Sequence, residues 1–258
     1  MLTFRHTNIA FVLLLMGLIA THVLYTPVPW YFYLLLVLIY SLIVFYGCIN
    51  IQSNFFMPVV CAADTPGKEI AISFDDGPVE QYTPELLAIL KQHEIEAAFF
   101  CIGNRIEGRE AILKAIIDDG HIIGNHSHSH HFWFDLYGSK KMQSDLAMMD
   151  AAMEKATGKK PILFRPPYGV MNPNLKKAIV AGGYTPVGWN VRSLDTVAKD
   201  DKKLLDRILP GIKPGAVFLF HDTSKTTLNI LPAFIGEVKK RGFRVTRLDK
   251  MLHLQPYA

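Results

Sequence analysis

Charge is almost missing from the first quarter of this 258-residue sequence: Arg5 is the only Asp, Glu, Lys or Arg before Asp64. Of 27 basic residues, 26 therefore share the remainder with all 23 acidic ones, a near-balanced surface. There is no run of Lys or Arg, which removes the usual reason to propose nucleic acid as a partner. Cysteine is scarce too. Cys48, Cys61 and Cys101 form no CxxC pair and no even framework, so they read as small buried hydrophobes and leave the redox compartment open. Internal repeats and low-complexity tracts are also missing, which excludes a solenoid.

Long apolar runs fill the charge-poor region. Residues 9–24 and 30–49 each approach the roughly 20 residues needed to cross a hydrocarbon core. Between them, Pro27 and Pro29 block a continuous helix. Tyr25, Trp30, Tyr31 and Tyr33 cluster at that turn as an interfacial aromatic belt does. The expectation is a membrane-anchoring helical hairpin over residues 1–52, in contact with membrane lipid. The competing reading, a cleaved signal peptide, predicts polar sequence after Ala20, where a second apolar run stands instead. One charge, Arg5, does not decide on which side the rest of the chain lies. Residues 53–67 read as a connector.

From residue 68 onward, β-rich runs alternate with helical patterns. The predicted strands are 70–74, 97–102, 121–124, 162–165, 185–190, 216–220 and 243–246. Thr83-Pro84 reads as a cap followed by a first-turn proline, and 139–155 carries Met142, Leu146, Met149 and Met153 at helical period before Gly158. Such alternation implies an α/β fold with a parallel sheet, and about seven units suggest a (β/α)-barrel. Polar residues follow the strands directly: Asp75-Asp76, Asn125-His126, Pro166-Pro167-Tyr168 and His221-Asp222. Loops at the C-terminal strand ends form the active face of such barrels, so these residues are expected to converge.

Asp75-Asp76 offers one carboxylate for a metal and a neighbour to accept a proton from water. An Asx turn is the simpler alternative. The run 126–131 holds four histidines in six residues, and partners four apart would share one helical face and reach one ion. Spacing alone leaves His128 and His131 as substitutes for His126 and His130. Two His and one Asp leave a coordination position open, the mark of a catalytic site. Arg165-Pro166-Pro167-Tyr168-Gly169 reads as a rigid turn that could hold an amide toward an oxyanion. His221 ends an apolar strand and is a candidate general acid. Phe132, Trp133 and Phe134 suit either core packing or contact with sugar or lipid.

Together these residues resemble the polysaccharide deacetylase family, the NodB homology domain of carbohydrate esterase family 4, from about Glu69 to Thr246. Ser73-Phe74-Asp75-Asp76-Gly77-Pro78 resembles its first motif, which implies Asp75 as catalytic base and Asp76 as metal ligand. His126 to His130 matches its His-Ser/Thr-x-x-His motif, so the resemblance selects His126 and His130. Arg165-Pro166-Pro167-Tyr168 matches the motif whose Arg orients the base and whose Tyr amide joins the oxyanion hole, with Pro167 beside it. Leu219-Phe220-His221 implies His221 as acid and Leu219 as a wall of the acetyl pocket, with Trp189 on the substrate side.

The fourth motif departs. The family has an Asp-x-x-Asp-Trp sequence, whereas Arg192-Ser193-Leu194-Asp195-Thr196 places Arg192 at the first Asp and Thr196 at the Trp. Asp195 or Asp222 is then left to support His221. What the resemblance implies is a distorted seven-stranded NodB-type barrel over residues 68–258, with a divalent metal, zinc first and cobalt, nickel or manganese as alternatives. The implied reaction is N-deacetylation of a glycan, with a lipid-linked N-acyl sugar as alternative substrate and a non-catalytic glycan- or metal-binding domain as the alternative of another class. The expected location is a bacterial inner (cell) membrane.

Overall fold

The computed structural model describes residues 2–258. Two helices open the chain, α1 (Phe4–Leu24) and α2 (Trp30–Ile49). The turn with Pro27 and Pro29 reverses the direction, and the helices run antiparallel. Tyr40 Oη donates to Asn8 Oδ1 at 2.9 Å, and the Phe11 and Tyr40 rings lie 4.5 Å apart. Leu13, Leu14, Leu34, Leu38 and Phe45 remain more than half exposed, an outward apolar surface that water does not favour. Both helices have the length and composition of a membrane span.

The rest of the chain alternates strand and helix. In order come β1 (Glu69–Asp75), α3 (Thr83–Gln92), β2 (Ala98–Cys101), α4 (Glu110–Asp118), β3 (Ile122–Asn125), α5 (Ser139–Thr157), β4 (Leu163–Phe164), α6 (Pro173–Gly182) and β5 (Thr185–Pro186). They are followed by β6 (Val191–Arg192), α7 (Asp201–Ile208), β7 (Ala216–His221), α8 (Lys225–Lys240), β8 (Arg244–Val245) and α9 (Leu248–Leu252). Seven parallel strands in the order β5-β4-β3-β2-β1-β7-β6 form a half-barrel, and β8 pairs with the start of β1. Both faces of the central strand are buried: Ile70, Ile72 and Phe74 pack toward α3, α4 and α8, while Ala71 joins Phe100, Val217 and Leu219 on the other side. Burial on both faces is why β1 and β7 read as nearly continuous apolar runs.

Three local expectations change. Residues 53–67, read as a connector, pack into the domain: Phe55, Phe56 and Val59 are buried, and Val60 and Ala62 form bridges to Val187 and Ala216. The half-barrel leaves a gap between its two ends, and this segment spans it, pairing backbone that would otherwise lack partners. The predicted strand 185–190 stops at Pro186, and a separate strand, β6, follows at Val191. Thr83 does not cap α3; its hydroxyl accepts from the Val79 amide and donates to Asp222 Oδ2, both at 2.8 Å. The three cysteines are free thiols, with Cys101 buried and the others half-buried.

Candidate active site

Strand pairing places the chemistry at one end of the half-barrel. β1 and β7 run in register, so Asp75 lies beside His221, and β3 pairs with β4 to set Asn125 beside Phe164. The residues following all four strands therefore face the same C-terminal mouth.

The metal-capable half is built on irregular backbone. The histidine run is not helical as the four-residue spacing suggested; Ser127 and His130 have φ of 66° and 42°, and Asp76 has φ 78°. Left-handed residues of this kind cost free energy and persist only where surroundings hold them. Here the Ser127 Oγ accepts from the His130 amide at 3.0 Å, and Asp145 of α5 accepts from the His128 and Ser129 amides at 2.7 and 3.3 Å. Asn125 accepts from the Ser127 amide and donates to Asp150 at 2.8 Å. Arg105 donates to the Asp76 carbonyl at 2.5 Å, pinning the other strained residue.

This scaffold sets His126 Nε2 and His130 Nε2 at 3.5 and 3.4 Å from Asp76 Oδ1. All three ligand atoms lie within 4.8 Å of one another. Tetrahedral ligands at zinc-like bond lengths sit about 3.3 Å apart, so the donor set and its spacing fit a divalent ion. His126 Nδ1 donates to the Arg165 carbonyl at 2.8 Å, which leaves Nε2 as the free lone pair, the tautomer a ligating imidazole needs. The other histidines turn away: His128 lies against Gly103, and His131 accepts from the Trp133 amide and stacks on Tyr137. In its protonated form His126 donates from Nε2 to Asp76: burial disfavours the Asp76 charge, yet that hydrogen bond and charge outweigh it and hold the carboxyl below the usual range, and the same proton must leave Nε2 before an ion binds. Burial, with the His126 charge behind it, pushes His130 down to about 4, so its ring is neutral at neutral pH.

Asp75 is held from behind. Arg165 is fully buried and donates to Asp75 Oδ1 and to Ser73 Oγ, each at 2.7 Å. Its remaining donors go to the Val187 and Gly188 carbonyls, and its plane lies 4.0 Å from the Phe100 centroid. A buried guanidinium survives because every arm is spent on an acceptor. With Oδ1 occupied, Asp75 Oδ2 faces the histidine group, 3.7 Å from His126 Nε2.

Across the mouth, His221 Nδ1 donates to Asp195 Oδ1 at 2.7 Å, and the His221 amide donates to Oδ2 at the same distance. Ser193 and Thr227 hydroxyls complete the carboxylate's shell. Burial opposes the imidazolium, but the Asp195 hydrogen bond and charge, helped by Asp75 and Asp76, raise His221 to about 9. Of the two acids expected to support His221, Asp195 makes the contact. Asp222 instead lies under the Asp-Asp-Gly turn, where a side chain at position 77 would meet its carboxylate. That explains glycine at 77. Arg192 is exposed, with its guanidinium 5.7 Å from the Trp189 ring.

The expected substrate-side residues divide. Tyr168, at φ 57°, is 43% exposed, with its ring edge-on to His130 at 4.7 Å. Trp189 is buried against Gly169, and Pro167 and Leu219 are buried beneath the mouth. Of the three consecutive aromatics, Phe134 is fully buried, whereas Phe132 and Trp133 are 70% and 56% exposed. Sequence reasoning named Ser73 and Asn125 at strand ends and in motifs without giving them roles, and missed Asp145, Asp150 and Thr227, which carry no local signal.

The polysaccharide deacetylase profile matches residues 62–187. A peptidoglycan-N-acetylglucosamine deacetylase of Bacillus cereus is 34% identical over 194 residues, covering 72% of this chain and 88% of its own. A peptidoglycan-N-acetylmuramic acid deacetylase, PdaA of Bacillus subtilis, is 32% identical, covering 73% of each chain. Among solved structures, the Bc1960 peptidoglycan N-acetylglucosamine deacetylase superposes with a TM-score of 0.73 at 28% identity, covering 78% of this chain and 95% of that one. BA3943 of Bacillus anthracis, described as a pseudoenzyme of carbohydrate esterase family 4, superposes at 0.70 with 26% identity, covering 76% and 69%. The chain belongs to the polysaccharide deacetylase family. Its fold is the NodB-type half-barrel of that family, and its relatives support a deacetylase hydrolase acting on glycans.

Proposed function

We propose that this protein is a membrane-anchored, metal-dependent deacetylase that removes N-acetyl groups from amino sugars of a glycan. The observation that carries the reading is one mouth holding both a metal-capable triad and two proton-handling groups in separate environments. Asp76, His126 and His130 would hold the ion, and two nitrogens with one carboxylate suit zinc. When bound there, a divalent ion supplies Lewis acidity toward the acyl carbonyl and the attacking water.

The chain's own residues divide the remaining work. Asp75 takes the water proton at Oδ2, since Arg165 occupies Oδ1 and holds the carboxylate in place. The Tyr168 amide, on its left-handed turn, donates to the developing oxyanion. His221, protonated at neutral pH, delivers its Nε2 proton to the departing amine while Asp195 fixes the ring through Nδ1. A C–O bond forms, the C–N bond breaks, and acetate and a free amino sugar result. Acetate release from N-acetylglucosamine oligomers or peptidoglycan tests this directly. No release by metal-loaded protein, from polymer or lipid-linked sugar alike, would leave only the non-catalytic binding reading. That reading arose from Arg192, and the Asp195–His221 contact weighs against it.

A second substrate reading, a lipid-linked N-acyl sugar at the membrane surface, has its own support. The Met171 amide, just past the Tyr168 turn, donates to the Cys48 carbonyl in the last turn of α2 at 2.9 Å. The mouth therefore adjoins the hairpin, and Phe132, Trp133 and the 75%-exposed Leu136 project from its rim. Release from a lipid-linked sugar in preference to soluble oligomers would favour it.

A further inference from the structure

Where the hairpin meets the domain, away from the histidine group, lies a cavity of about 1050 Å³. Its walls are mainly apolar: Phe4 of α1, Phe55 of the gap-spanning segment, and Val180 of α6. Among the described residues its charged side chains are all of one sign, Arg5, Lys176 and Lys177, and no acidic one lines it. The Phe4 amide donates to the Phe55 carbonyl at 2.8 Å, so hairpin and domain are joined at this wall. The volume is at the upper end of small-molecule sites, roughly 300–1000 Å³.

We propose that this cavity binds one anionic membrane lipid, with its phosphate on Arg5, Lys176 and Lys177 and an acyl chain against Phe4, Phe55 and Val180. The inference rests on the reading of the hairpin as a membrane anchor. Arg5 is the only charge in 63 residues and sits at the first turn of an apolar span, which is the headgroup level of a bilayer. Lys176 and Lys177 come from α6, 171 and 172 residues after Arg5, and bring two more cations to that level. Apolar walls continuous with the outer surface of a spanning helix suit a chain entering from the bilayer. A cluster of cations without a carboxylate suits a phosphate diester rather than a zwitterionic headgroup. A free phosphate shares the headgroup chemistry but leaves the apolar wall without a partner.

The test uses the full-length protein reconstituted into phosphatidylcholine vesicles with or without phosphatidylglycerol, then extracted in mild detergent and weighed intact by native mass spectrometry. One phosphatidylglycerol should be retained per chain, and millimolar inorganic phosphate should not displace it. The combined substitution R5Q/K176Q/K177Q should lower retention roughly a hundredfold, as loss of three basic contacts implies. Val180→Trp, which fills the apolar wall and leaves the charges, should lower it as well, with an unchanged melting temperature. Equal retention of phosphatidylcholine, displacement by inorganic phosphate, or undiminished retention in either variant would overturn the lipid site while leaving the anchor intact. Failure of the wild-type chain to enter vesicles would overturn both.

Discussion

The two halves of the mouth are built differently. Asp76, His126 and His130 stand on loops with left-handed backbone, close in sequence to recognisable neighbours, and their support comes from α5 and Arg105. His221 stands on a regular strand in register with Asp75, and its partner Asp195 arrives from the segment after β6, 26 residues earlier. The first half is strained, the second relaxed. Strained backbone is retained where something must be gripped, and a relaxed strand suffices where a single proton must be poised. Substitutions on the two sides should therefore fail in different ways.

The largest effect is expected on the gripping side. Asp76→Ala should lose bound zinc, read by elemental analysis, and cut kcat by more than about 1000-fold, and a chelator should do the same to the wild type reversibly. Retained activity in chelated protein would sink the metal assignment. Asp75→Asn separates the functions: zinc should stay while kcat falls roughly 100- to 1000-fold, the range for loss of a general base. Zinc loss in that variant would move Asp75 into the ligand set.

The poised side should show in pH rather than in metal content. His221 rises from 6.5 to about 9 in the fold, so it donates a proton below that value and activity should fall as pH climbs through it. The same pair stabilises the fold fully below the unfolded value near 6.5, and that contribution disappears as pH rises through about 9. Asp195→Asn removes the hydrogen bond and charge that raise the imidazole. The alkaline limb should then move to lower pH and kcat should drop about tenfold, with zinc unchanged. An unmoved limb would show that another group sets it.

How much of this was legible follows from distance along the chain. The Asp-Asp pair, the histidine run and the Arg-Pro-Pro-Tyr turn each declare themselves within six residues, and strand–helix alternation places them on one face. The resemblance then chose His126 and His130, which the structure brings beside Asp76 on a loop held by Ser127 and Asp145 rather than on a helix. Asp195 was one of two candidates because nothing local separates it from Asp222; only the β6–β7 pairing brings it to His221. Phe55, Phe56 and Val59 read as linker because what buries them is distant in sequence: Phe4 of α1 packs on both phenylalanines, and Val60 and Ala62 bridge to Val187 and Ala216.

The smallest effect expected concerns a residue that touches neither ion nor substrate. Asp145 is buried on α5 and accepts from two consecutive amides, His128 and Ser129, in the middle of the histidine loop. It thereby offsets the cost of the left-handed turns on either side, at Ser127 and His130. Asp145→Ala leaves those two amides without their carboxylate and frees the loop to relax. His126, anchored separately to the Arg165 carbonyl, should keep its place, whereas His130 should drift. Zinc affinity should then weaken about tenfold, within the range for outer-shell supports, while kcat at saturating zinc stays within a fewfold of wild type. Asp145→Asn, which keeps an accepting oxygen, should recover most of the loss. A kcat that stayed low at saturating zinc in both variants would show that the loop serves the reaction itself and not only the grip on the ion.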